Sequence, residues 1–230
     1  MFEQFWVVIP AAGVGSRMRA DRPKQYLQVA GRTIIEHTLD CFLGHSRLRQ
    51  LVVSLAVDDP YWPKLSCASD PRICRADGGG ERADSVLAGL HRLFELGASD
   101  EDWVLVHDAA RPNLSRQDLD RLLAQVQGDP VGGLLAVPAR DTLKRAGADG
   151  RVEETIDRSV IWQAFTPQMF RLGMLQHALA GALEAGVAIT DEASALEWAG
   201  HRPKLVEGRA DNLKVTRPED LRWLEQHLQR

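Results

Sequence analysis

Small residues followed closely by two basic side chains can bind an oxyanion, and one stretch near the start of the chain has this composition. In PAAGVGSRM (Pro10 to Met18), followed by RPKQYL (Arg22 to Leu27), the small residues let backbone amides approach an anion. Arg17 and Lys24 add mobile positive charge beside them. Gly13 and Gly15 alone are ambiguous, because a tight strand-to-helix turn also asks for glycine on steric grounds; the two cations favour a phosphate cradle. A dinucleotide fingerprint would need glycine where Met18 stands, since close helix-to-strand packing excludes a long side chain there. A Walker A loop needs a Gly-Lys pair, and the sequence contains none.

Three further stretches carry candidate chemistry. VHDAARP (Val106 to Pro112) ends an apolar run, where α/β proteins gather their ligands. There Asp108 is a hard oxygen ligand suited to Mg²⁺, and Arg111 can fork onto a phosphate; an Asp capping a turn before Pro112 is the plainer alternative. His107 reads as a histidine held at the strand end. GGGERADSVLAGL (Gly78 to Leu90) is a glycine turn feeding a helix whose first turn holds Arg82 and Ser85. Its free amides could meet a ribose, a base edge or a phosphate, or it is an ordinary turn. GRADNLKVTRPEDL (Gly208 to Leu221) supplies Asp211 and Lys214, a second carboxylate and lysine, before a capped helix. Taken alone, such a stretch is more often a solvated turn.

The elements that must position these residues alternate along the chain. Phe5 to Pro10, Leu51 to Val57, Trp103 to His107, Gly133 to Val137 and Lys204 to Val206 are short apolar runs of the kind buried on both faces of a parallel sheet. Between and after them, Thr33 to Leu43, Arg82 to Leu96, Ser115 to Gln127, Arg171 to Glu184 and Pro218 to Leu228 repeat apolar residues at helical spacing. A βαβ series of this kind predicts an α/β sandwich. Asp141 to Arg158 breaks the pattern: two polar-apolar alternations flank GADG, which predicts a β-hairpin inserted after a core strand. A polar hairpin of this length needs a surface to lie against, and a dimerisation arm would have one.

Composition bounds the rest. With 230 residues, 44% of them hydrophobic, the chain has enough for one full core, and one domain over residues 1–230 is expected. Twenty-eight Lys and Arg against 32 Asp and Glu give a net charge of −4, which argues against nucleic acid or anionic lipid as a general partner. No apolar run approaches the roughly 20 residues of a membrane helix, and MFEQFWVVIP has an acidic residue where a secretory signal is basic, so a soluble, cytoplasmic protein is expected. Cys41, Cys67 and Cys74 lack zinc spacing and are odd in number, and are expected as buried thiols.

Taken together and in order, PAAGVGSRM with PKQYL, GGGERADSVLAGL, VHDAARP, ITDEASALE (Ile189 to Glu197) and GRADNLKVTRPEDL resemble the 2-C-methyl-D-erythritol 4-phosphate cytidylyltransferases across nearly the whole chain. The resemblance implies a Rossmann-like, mostly parallel sheet sandwiched by helices, with residues 138–165 forming an inserted β-hairpin dimerisation arm. It implies CTP and a methylerythritol phosphate as substrates, pyrophosphate as leaving group, Mg²⁺ as cofactor and a homodimer. Arg17, Lys24 and Lys214 would then neutralise charge during transfer, and Asp108 and Asp211 would hold the metal directly or through water. Ala11, Ala12, Gly13, the loop from Gly78 to Gly80 and Ser85 would meet the nucleotide. Thr142, Arg158 and Thr190, with Arg111, would meet the acceptor, the first two reaching in from a neighbouring subunit. A cytidylyltransferase for another polyol phosphate, such as ribitol 5-phosphate, would share the first loop, the metal and the cations. A nicotinamide oxidoreductase would bind nucleotide without metal, and a non-catalytic CTP sensor would have no use for a second phosphate site.

Overall fold

In a computed structural model, residues 3–13, 18 and 20–228 are described, so Arg17 and Gly15 lie outside the described residues. The chain runs β1 (Phe5–Pro10), β2 (Gln28–Val29), β3 (Arg32–Thr33), α1 (Ile34–Leu43), β4 (Leu48–Leu55), β5 (Ile73–Asp77), α2 (Arg82–Glu95), β6 (Trp103–Val106), α3 (Arg116–Val126) and β7 (Gly132–Pro138). It continues with β8 (Leu143–Ala146), β9 (Val152–Ile156), β10 (Trp162–Arg171), α4 (Leu172–Glu184), α5 (Glu192–Trp198), β11 (Lys204–Glu207) and α6 (Pro218–Leu228). Seven strands form one sheet in the order β11-β7-β10-β6-β1-β4-β5. Only β10 is antiparallel to its neighbours, β6 and β7, so the other strands present their C-terminal ends at one edge.

Two cores follow from strands that are apolar on both faces. On one face Phe5, Val7 and Ile9 pack with Leu39, Phe42, Leu119 and Leu123 from α1 and α3. On the other, Trp6 and Val8 pack with Val86, Leu90, Leu175 and Leu179 from α2 and α4. Helix starts carry their own caps. Ser115 Oγ accepts the Asp118 amide at 3.1 Å, and Thr33 and Glu36 form a reciprocal box before α1. The three cysteines are half-buried rather than fully buried; burial still pushes the Cys41 thiol up to about 12 and Cys67 to about 11.

The hairpin expected from Asp141 to Arg158 is present as β8 and β9, an antiparallel pair separate from the main sheet and inserted between β7 and β10. Its side chains are largely exposed, Val152 at 64%. Ala139 N–H donates to Ile161 O at 2.9 Å across its base.

Candidate active site

The C-terminal ends of β1, β4 and β6 converge with the N-terminus of α2 and the segment before α6. Ala11 N–H donates to Ser54 O at 2.8 Å, and Gln25 Nε2 donates to Ala11 O at 2.7 Å, so the first loop is held from both sides. Gly78 lies so close that a Cβ there would sit 2.6 Å from Ala12 Cβ and 2.9 Å from Ser85 Oγ. Only glycine lets the second loop pack on the first. The Ser85 hydroxyl accepts from Gly79 N–H at 3.2 Å and donates to Glu81 O at 3.1 Å. A side chain expected to read a base therefore first holds the loop that would read it. These loops enclose a cavity of about 260 Å³ lined by Ala11, Ala12, Gly13, Lys24, Ser85 and Asp108, among others.

A second cavity of about 220 Å³, lined by Arg111, Phe165, Thr190 and Asp191 among others, adjoins it. Three residues line both: Arg82, Asp108 and Lys214. Asp108 is 6% exposed and sits at the centre of a cationic ring. Its Oδ1 accepts from Arg82 Nε at 3.1 Å, while Oδ2 meets Arg111 Nε at 3.1 Å and Lys214 Nζ at 2.9 Å. Burial alone would raise the Asp108 carboxyl, but Arg82, Lys214 and Arg111 outweigh it and hold it far below the usual carboxylate range. Lys24 Nζ donates to Val215 O at 3.0 Å, and Val215 N–H to Ala110 O at 2.8 Å, which ties the two lysine-bearing segments to the same strand end.

His107 is fully buried and both ring nitrogens are engaged, Nε2 with Arg111 O at 2.9 Å and Nδ1 with Thr166 Oγ1 at 3.0 Å. Because a carbonyl only accepts, Nε2 carries the proton and Nδ1 accepts from the threonine hydroxyl. Burial lowers its pKa to about 4, so the ring is neutral and pins the turn that carries Asp108 and Arg111. It stands at the strand end as the sequence suggested.

Several expected site residues are not brought together. Asp211 lines neither cavity; its carboxylate turns to Arg209, whose Nε lies 2.9 Å from Oδ1. Its pairing with Arg209, whose side chain is 53% exposed, places the carboxylate beside a cation at the surface next to the segment that carries Lys214. Among the described residues no group of three or more His, Cys, Asp or Glu side chains could hold a metal. Asp108 fits a more limited role: a carboxylate offers about four lone-pair sites, and three are taken by the cations. Thr142 and Arg158 line neither cavity of their own chain; the Arg158 guanidinium donates to Arg140 O. Thr190 and Arg111 do line the second cavity. Sequence reasoning missed Gln25, Gln168 and Glu192, whose partners lie far away in the chain.

A mostly parallel α/β sheet with a small-residue loop, converging cations and paired cavities at its C-terminal edge defines a nucleotidyltransferase. Residues 5–230 match the family model described as 2-C-methyl-D-erythritol 4-phosphate cytidylyltransferase. The chain belongs to this family. It is 77% identical over 217 residues to the 2-C-methyl-D-erythritol 4-phosphate cytidylyltransferase of Pseudomonas aeruginosa (strain UCBPP-PA14), covering 94% of this chain and 93% of that protein. To that of Pseudomonas entomophila (strain L48) it is 73% identical over 222 residues, 96% of this chain and 94% of that one. Among solved structures, a 4-diphosphocytidyl-2C-methyl-D-erythritol synthase superimposes with a TM-score of 0.86 at 41% identity, covering 99% of both chains. The Francisella tularensis cytidylyltransferase gives 0.85 at 34% identity, covering 97% of this chain and 99% of that one.

Proposed function

We propose that this chain transfers a cytidylyl group from CTP to 2-C-methyl-D-erythritol 4-phosphate, releasing pyrophosphate and forming 4-diphosphocytidyl-2-C-methyl-D-erythritol for non-mevalonate isoprenoid synthesis. The observation that carries the reading, beside family membership, is the pair of adjoining cavities with Arg82, Asp108 and Lys214 in their common wall. CTP occupies the cavity lined by Ala11, Ala12, Gly13 and Ser85, with Gly78 packing its loop in place; the acceptor occupies the one lined by Arg111 and Thr190. A phosphate monoester near neutral pH carries about 1.5 to 2 negative charges, so its oxygen attacks the α-phosphorus without a general base. The one histidine at the site, neutral and doubly bonded, is consistent with that economy.

What the protein supplies is alignment of two repelling anions and neutralisation of charge as it builds on the α-phosphoryl and pyrophosphate groups. Lys24 and Lys214 do this from two segments, joined by Arg17, which lies outside the described residues. Asp108 and Asp211 are the carboxylates that would hold Mg²⁺, directly or through water, and the ion when bound would supply Lewis-acid neutralisation. Thr142 and Arg158 act across a homodimer, each arm completing the partner's acceptor site. We place this reaction in the cytoplasm; the described residues contain no helix long and apolar enough to cross a membrane. Pyrophosphate release from CTP with a panel of polyol phosphates, with and without Mg²⁺, tests the reading. Methylerythritol phosphate is expected to be preferred and chelation to abolish turnover; preference for ribitol 5-phosphate, or activity indifferent to chelator, overturns the respective part.

A further inference from the structure

Glu192 is a buried carboxylate, 1% exposed, with no place in the roles assigned so far. One side chain, Gln168 of β10, holds the residues on either side of it: Gln168 Nε2 donates to the Asp191 side chain at Oδ2 at 2.8 Å, and its Oε1 accepts from the Ala193 backbone N–H at 2.8 Å. Asp191 in turn caps α5 by accepting the Ser194 amide at 3.0 Å. A carboxylate held this firmly sets the position of whatever it grips. It grips Arg82, with Nη1 at 2.6 Å from Oε1 and Nη2 at 3.1 Å from Oε2, while Arg82 Nε reaches Asp108 Oδ1 at 3.1 Å. Desolvation opposes the Arg82 charge, but Glu192 and Asp108 outweigh it and make the guanidinium a permanent cation.

These contacts use three of the five guanidinium N–H groups and leave one on each Nη, the two pointing apart, so each is a single donor. The residue that holds them lines both cavities. In the proposed transfer a bond forms between an acceptor phosphate oxygen and the α-phosphorus of CTP. The bond from that phosphorus to the oxygen bridging to the β-phosphate breaks, and its electron pair leaves with pyrophosphate. The non-bridging oxygens of the group in flight are therefore where a firmly held cation with a donor to spare at the common wall has most effect. We propose that Arg82 is a further catalytic residue, gripping the phosphoryl group between the cavities, and that Glu192 is the positioning residue that aims it. A lysine could not do both jobs, since an ammonium has three N–H groups and matching these three contacts would leave none for a phosphate.

The inference rests on the nucleotidyltransferase reading, and kinetics on the full chain separate the two. Arg82→Ala is expected to lose about 10² to 10³ in kcat, the usual cost of one preorganised donor, with KM for CTP changed less than threefold. Glu192→Gln should lose about tenfold or more in kcat, again with little change in KM. In the double variant the losses should not multiply, because the second residue acts through the first. Methylguanidinium should restore activity to Arg82→Ala at least tenfold, and should fail in Arg82→Ala/Glu192→Gln. If Arg82→Ala does not fold, Arg82→Lys, which keeps a cation beside Glu192, carries the kcat reading. Variants that keep kcat within threefold of the parent, or losses that multiply in the double variant, overturn the inference. Absence of pyrophosphate release by the parental chain removes the underlying reading and this inference with it.

Discussion

Two polar regions of this molecule are built on opposite terms. Around Asp108, the carboxylates are buried and the charges mutually satisfied: one carboxylate meets three cations, of which Arg82 and Lys214 stay partly exposed, and Arg82 is held by a second buried carboxylate. On the hairpin the polar groups face solvent. Arg145 and Glu154 pair at 2.7 Å with side chains 61% and 49% exposed, and Lys144 Nζ donates to Thr155 Oγ1 at 2.6 Å. The first region is preorganised within one chain, since each group was desolvated during folding and already has its partner. The second lies apart from the main sheet with Val152 and Val160 exposed, so in the proposed homodimer its residues would take their place against a partner subunit. The acceptor-binding duties assigned to Thr142 and Arg158 therefore belong to a different kind of structure from those of Arg111 and Thr190.

The difference is largest where a charge is deleted. Asp108→Ala removes the common partner of Arg82, Arg111 and Lys214, of which Arg111 is itself only 10% exposed. Breaking a buried pair costs about 3–5 kcal/mol, because the remaining charge stays desolvated. A fall of that size in urea unfolding free energy, with unchanged m value, is expected. A loss below about 1 kcal/mol would show that the cluster is wetter and looser than its geometry.

The buried region should also carry the pH dependence of stability. The His107 pKa is about 4 in the fold against about 6.5 unfolded, so between those values the unfolded chain binds more protons and stability falls as pH falls. The full effect is about 3 kcal/mol on reaching pH 4. Asp108 does not act in that window: its folded value is depressed, so its contribution is present above the unfolded pKa of about 3.9 and is lost only in stronger acid. His45, also lowered by burial, adds a further slope of the same sign. His107→Asn should flatten the curve between pH 6.5 and 4; an unchanged slope assigns the dependence to other groups.

How far these regions were legible in the sequence follows from the same contrast. Strands buried on both faces, such as Phe5–Pro10 and Trp103–Val106, announce themselves by unbroken apolar runs. Ile73–Asp77 escaped because it lies at the sheet edge, where Arg75 and Asp77 face solvent. Trp162–Arg171 escaped because Gln163, Pro167 and Gln168 interrupt its pattern, and its register shifts between Ala164 and Gln168. A bulge is where a strand tolerates a proline that cannot donate to the ladder. In the site, Asp108 and Lys214 were visible because each sits in a short stretch dense with chemistry. Glu192 was not, since ITDEASALE reads locally as a capped helix start and its partner Arg82 lies 110 positions away. Asp211 was visible for the same reason as Lys214, while its pairing with Arg209, two residues away, was not.

Mixing subunits tests whether the hairpin acquires its place from a second copy. Lys24→Ala disables the cavity lined by residues of its own chain, whereas Arg158→Ala disables what an arm delivers to the partner. In a mixed dimer one of the two sites receives both intact residues, and each parent homodimer has none. Recovery of up to about half the activity per heterodimer is expected if the sites act independently. A monomer by sedimentation, or fully exchanged subunits that regain nothing, would place Arg158 outside the acceptor site.

The smallest expected effect is on the hairpin itself. Arg145→Ala removes an exposed pair whose charges stay solvated, and such pairs contribute about 0–1 kcal/mol, reduced further by salt. Unfolding free energy should therefore change by no more than about 0.5 kcal/mol, and kcat should stay within twofold, because neither partner lines a cavity. The informative readout is hydrogen exchange across residues 143–156. If a partner subunit rather than local pairing orders the hairpin, its protection should hardly respond to Arg145→Ala but should fall when the dimer is diluted apart. Protection lost in the variant at a fixed degree of dimerisation would mean that the hairpin is held by its own side chains. It would then belong with the Asp108 cluster as a structure the single chain completes, and the contrast between the two regions would fail.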